Sequence, residues 1–203
     1  MALPCVIAVW ALSGFVLSLG PSLTAQVLRS PNLLWGGLVI FLFTGIAAAA
    51  AVAFRGVSAP TAMLAGCLAL LAGAVMTLAA IQTASAAAFL TGTAVAGVGL
   101  GAGFLGAFRT VSALAAPAQR ASLVAAIFIV TYLAFSIPAL IAGVATTDFG
   151  LHQTALVYCA VLATLAAVAA ASLIFRRRPS APRPDPVAAQ TGPQAQGRDT
   201  DER

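Results

Sequence analysis

Lysine is absent from this 203-residue chain, and glutamate and histidine each occur once. Between Leu3 and Phe175 the formally charged side chains are Arg29, Arg55, Arg109, Arg120 and Asp148. Charged residues make up 7% of the whole, where a soluble domain carries about 25%, so a soluble globular fold is excluded. Scarcity of ionisable groups also removes the acid, base and nucleophile sets that catalysis requires, and no enzyme is expected. Cys5, Cys67 and Cys159 lie far apart with no CxxC pair and one histidine, His152, in the chain. They read as small apolar residues, with no metal site, disulfide or cofactor. The ten arginines are dispersed over helix ends and the C-terminal segment, which argues against a nucleic-acid-binding face.

What fills the space is hydrocarbon: 61% of residues are hydrophobic and the mean hydropathy is +1.03. Six apolar stretches of about 20 residues follow one another, each long enough for about 30 Å of bilayer core. Only helices or a closed barrel satisfy every backbone amide there. The expected fold is therefore all-α, an integral membrane bundle of six helices at about 3–23, 33–54, 60–80, 86–108, 121–145 and 152–175. The apolar run from Leu3 lacks a charged leader and is longer than a signal-peptide core, so the first helix is expected to be retained. Residues 1–175 form the transmembrane domain in this reading. Residues 176–203, rich in Pro, Ala, Gln and charge, form a disordered tail.

Six crossings put both ends of the chain on one side. The run Arg176, Arg177, Arg178 assigns that side to the cytoplasm by the positive-inside rule, and Arg55, Arg109 and Arg120 fall there too. Arg29 and Asp148 face outward. The expected location is the cell membrane, multi-pass, with the bilayer as solvent and both termini cytoplasmic.

No Asp, Glu, Lys, Arg or His lies in the middle of an expected span, so the chain offers no coupling carboxylate of its own. Helix four carries GVGLGAGFLG, with Gly97, Gly99, Gly101, Gly103 and Gly106. Gly101 to Gly106 satisfies GxGxxG, but a dinucleotide site needs a preceding strand and an acidic residue about 20 positions on, and both are missing. The same glycines give GxxxG at Gly97/Gly101 and Gly99/Gly103, a spacing for close helix packing or for a deformable helix beside a cavity. Helix one brings Trp10, Ser13, Phe15 and Ser18 before Gly20-Pro21, and helix five brings Tyr132 and Ser136 before Pro138. Pro21 and Pro138 are candidate bends. His152, near Asp148 at a helix start, reads as an exposed capping residue.

WALSGFVLSLGPSL resembles the seventh helix of major facilitator superfamily permeases. GVGLGAGFLGAFRTVSALAAPAQRASLVAAIFIVTYLAFSIPALIAG resembles the tenth and eleventh helices, with Arg109, Pro117, Arg120, Tyr132, Pro138 and Gly143 placed as in drug-efflux-like members. The resemblance implies half of such a fold, two inverted three-helix repeats that place helices one and four at the cavity. It thereby raises Trp10, Ser13, Phe15, Ser18, Thr91 and Thr93 as cavity candidates. It further implies efflux of small molecules in partnership with a second six-helix half, from another chain, from a second copy, or from a missing N-terminal part. Loop two–three, AFRGVSAP, keeps only Arg55 and Gly56 of the family's charged loop motif. A membrane partner protein without transport activity, or a truncated remnant, is the alternative.

Overall fold

The computed structural model describes residues 3–28, 32–114 and 120–176; Arg29, Pro31, Pro117 and the expected tail beyond Arg176 lie outside them. Every element among the described residues is helical: α1 (Leu3–Leu28), α2 (Leu33–Ala53), a 3₁₀ turn (Phe54–Gly56), α3 (Ala59–Thr83), α4 (Ala86–Leu114) and α5 (Arg120–Arg176). Each of the five helices contains a window long and apolar enough to cross a membrane. The chain is an all-helical membrane protein.

Boundaries follow from local chemistry. The Asn32 side chain accepts from the Leu34 N–H at 3.0 Å and caps α2, meeting one of the orphan amides of a helix start. Pro60 sits in the first turn of α3, where its missing N–H costs no intrahelical bond. Ala84 takes a left-handed conformation (φ 50°) and ends α3, and the Ser85 hydroxyl accepts from the Ala88 N–H at 3.3 Å as α4 begins. The first helix runs on to Leu28 past Pro21 instead of ending at 23, and Gly36 of α2 explains how the proline ring is housed. A Cβ at Gly36 would stand 2.9 Å from the Pro21 ring, so the missing side chain leaves the ring a notch.

The glycines of α4 serve α3 and α2, and Gly103 also meets Val9 and Cys5 of α1. Gly92, Ala96, Gly99, Gly103 and Gly106 face Thr77, Gly73, Leu70, Gly66 and Met63 of α3, and in every pair the residue numbers add to 169. This constant is the signature of antiparallel helices in one fixed register. The spacing of four, three, four and three along both helices is that of a left-handed coiled seam, built here from residues small enough for the backbones to touch. Gly97 and Gly101 point elsewhere, to Phe43 and Ala47 of α2, at a constant offset of 54 that identifies a parallel pair. A side chain at Gly97 would sit 2.7 Å from the Phe43 carbonyl oxygen, and one at Gly101 would collide with that of Ala47.

α5 spans 57 residues, about 86 Å if straight and nearly three times the bilayer core. It is not straight. Gly150 leaves helical geometry (φ 79°, ψ 160°), a backbone conformation that favours glycine. Gly14 of α1 abuts the Phe135 carbonyl, where a Cβ would come within 2.5 Å, while Ala11, one turn earlier, accepts a 2.9 Å hydrogen bond from the Tyr158 hydroxyl. Phe135 and Tyr158 would stand about 35 Å apart on a straight helix. Both reach one turn of α1 because the run folds back at Gly150 into two arms, residues 120–149 and 151–176. Residues 146–149, expected in a connecting loop, continue the first arm, so one residue makes the reversal.

α1 is the central element: 67% of its most apolar stretch is buried, compared with 22% for α2. Val9 and Leu23 of α1 share one buried apolar cluster with Val39 and Phe43 of α2 and Met63 and Cys67 of α3.

Candidate functional site

The six cavity candidates divide into two groups. Ser13 (3% exposed), Phe15 (2%) and Thr93 (3%) are inside the bundle. Ser13 donates to the Val9 carbonyl at 3.0 Å and Thr93 to that of Phe89 at 2.8 Å, so both hydroxyls are satisfied within their own helices. Phe15 packs on Tyr158 with ring centres 5.0 Å apart. Phe15 and Thr93 share a void of about 10 Å³ with Leu12 and Thr77, close to the space of one water.

Ser18 and Thr91 are exposed, and Trp10 is half-buried. Their hydroxyls donate to carbonyls four residues back, Ser18 to Gly14 at 2.6 Å and Thr91 to Ala87 at 2.8 Å. The Trp10 ring meets Phe104 of α4 edge-on, centres 5.5 Å apart at 86°, and Phe104 is followed by Phe108 at 5.9 Å. The indole N–H of Trp10 is buried and has no hydrogen-bond partner. An unmet buried donor costs about 1–3 kcal/mol, which makes it the polar handle of this aromatic row.

The bending and packing candidates are placed as follows. Gly97, Gly99, Gly101 and Gly103 are packed against α2 and α3 as described, and Gly103 also accepts a weak 3.8 Å contact from the Cys5 thiol. Pro21 lies in its notch on α2, and Pro138 lies inside the first arm of α5, with Ser136 close by.

The charged end is organised around Arg109. Its guanidinium crosses from α4 to the α2–α3 turn and donates to the carbonyls of Val57 at 2.9 Å and Arg55 at 3.2 Å. These are the carbonyls left open where α2 ends in a 3₁₀ turn. Arg55 folds back on its own helix and donates to Val52 at 3.3 Å. Arg120 begins α5, and its side chain lies outside the described residues.

Sequence reasoning missed an opening beside the last two arms. A cleft of about 570 Å³ lies between the two arms of α5 with Ala11 of α1 at its floor, and Pro138, Phe149, Gln153, Thr154 and Tyr158 are among its walls. The reversal at Gly150 creates it, and the one sequence signal was that glycine between Asp148 and His152. Among the described residues no cluster of three His, Cys, Asp or Glu side chains is positioned to hold a metal.

Arrangement and composition define an all-helical membrane protein with apolar, sparsely hydrogen-bonding sites. Comparison with protein-family models, curated proteins and solved structures finds no match.

Proposed function

We propose that this chain is a six-crossing half of a secondary transporter of the major-facilitator type, exporting small apolar or amphipathic molecules across the cell membrane. The observation that carries the reading is a correspondence between two helix triplets. α4 lies on α2 and α3 through small residues, Gly97 on Phe43 and Gly103 on Gly66. α1 lies on the two arms of α5 in the same manner, Gly14 on Phe135 and Ala11 beside Tyr158. Equating α1 with α4, α2 with the first arm and α3 with the second matches the inverted repeat on which such halves are built. In that scheme both ends of the chain and Arg55, Arg109 and Arg120 are cytoplasmic, and Trp10, Ser18 and Thr91, with the Phe104–Phe108 row, are the substrate-facing groups.

A rocking mechanism needs an opposing half and a means of coupling to a gradient. The described spans contain no Asp, Glu, Lys, Arg or His side chain at mid-membrane, although one charge crossing the field would gain about 2.3 kcal/mol per 100 mV. The partner half therefore supplies the coupling group. The protein in liposomes should take up no fluorescent drug-like substrate down a proton gradient when monomeric, and should do so with a complementary six-helix half that carries an ionisable group at mid-membrane. Gradient-driven uptake by a demonstrated monomer refutes the reading; no uptake in any assembly favours a membrane partner without transport activity.

A further inference from the structure

We propose that the cleft between the arms of α5 is a binding site for one acyl chain of a membrane lipid, with the lipid ester lying at Gln153 and Thr154. This site is separate from the Trp10 and Phe104 face and does not depend on the transport reading.

Shape is the first argument. The wall contributed by the second arm runs from Gln153 to Leu165, about 18 Å along the helix, close to the roughly 15 Å of one leaflet. Apolar walls of that length suit a hydrocarbon chain lying along the arm.

Polarity gives the direction. Gln153 and Thr154 lie next to the Gly150 reversal, where the arms reach the membrane surface. Away from it the walls are apolar, with Pro138, Val161 and Leu162, and Ala11 behind them. An ester-linked chain has this same order, polar at the interface and apolar toward the midplane.

Thr154 supplies the independent observation. It is 7% exposed, and its hydroxyl has no hydrogen-bond partner. Other helical threonines meet this need locally: Thr24, Thr93 and Thr164 donate to the carbonyls of Gly20, Phe89 and Ala160, each four residues back. For Thr154 the residue four back is Gly150, whose ψ of 160° turns its carbonyl off the helix axis. The reversal that opens the cleft thus also takes away the acceptor four residues back, and the hydroxyl does not use the carbonyl three residues back that serves Thr131 and Thr147. Thr154 lines the cleft, so its unpartnered hydroxyl is the donor available to an ester carbonyl held there.

The test uses the full chain in vesicles of phosphatidylcholine carrying a diazirine within one acyl chain. After photolysis, lipid adducts are mapped to individual residues. Adducts on the cleft walls, at Ala145, Val157 and Leu162, should exceed those on the outward face of α2, at Leu38 and Phe41, roughly fivefold. Ala145→Phe, which occupies the cleft from a half-exposed position, should lower the cleft adducts about tenfold and leave those on α2 unchanged. Thr154→Val keeps the side-chain shape and should lower them roughly fivefold. The unchanged α2 adducts report that each variant is folded. Equal labelling of cleft and α2, or cleft labelling indifferent to Ala145→Phe, overturns the proposal. Protein–protein cross-links at these residues in place of lipid adducts also overturn it.

Discussion

Arg109 and Thr154 illustrate how single side chains settle local order where hydrocarbon surrounds them. The Arg109 guanidinium ties α4 to the α2–α3 turn by donating to two of its carbonyls. Because the partners are backbone carbonyls, the bonds need no acidic residue, which this chain lacks nearby. Arg109→Ala should therefore free the turn, and trypsin should cut after Arg55 about tenfold faster than in the parent protein under native conditions. Cutting at equal rates would mean that the turn is held by its own geometry. At this scale the sequence was a partial guide. It marked Arg55 and Arg109 as charges at one membrane surface, but the bond between α4 and the turn depends on a register that no spacing rule supplies. The same holds for Ser13, Phe15 and Thr93, raised as cavity residues and found buried within the bundle. In a membrane the lipid is as apolar as the protein core, so hydrophobic periodicity carries little information on which way a residue faces.

The packing of α4 is decided at the level of whole elements. Five glycines within ten residues were legible as a packing motif, with GxxxG at Gly97/Gly101 and at Gly99/Gly103. What could not be read was which helix each face meets. The structure assigns Gly99 to antiparallel α3, Gly97 and Gly101 to parallel α2, and Gly103 to the place where α4 meets both α3 and α1. Gly101→Leu and Gly103→Leu should each lower the thermal midpoint in detergent by about 5 °C or more, as expected for one to three kcal/mol of overpacking. Gly45 of α2 is the matched control, since no atom lies within 4 Å of a Cβ built there. Gly45→Leu should leave the midpoint unchanged or raise it slightly, because leucine is the better helix former. Equal losses at all three positions would show that the α4 glycines are not seats for neighbouring backbones. The fifth helix is where sequence and structure part most clearly. A loop was expected around Asp148, Gly150 and His152, and helix persists on either side of Gly150 alone. Turn signals of Gly, Asp and His suggest several residues of loop, whereas a positive-φ glycine suffices to reverse the run.

For the whole molecule, composition already dictated a helical membrane protein, because so apolar a chain with so few charges has no soluble solution. The arrangement of burial then follows from α1 standing at the centre, with α2 and both arms of α5 presenting Phe41, Leu140, Ile141 and Phe175 outward. The central claim is that α5 crosses twice, so that six crossings pair α1–α3 with α4 and the two arms. Thiol labelling tests it directly, since Cys5, Cys67 and Cys159 are all buried and contribute little background. Single cysteines at Thr83 and Thr147 should react with an impermeant reagent applied to intact cells, and those at Ser58 and Ser180 should react only after permeabilisation. A Thr147 cysteine that reacts from neither side, with Thr83 and Ser180 cysteines reacting from the same side, would mean a single crossing by α5 and would contradict the account.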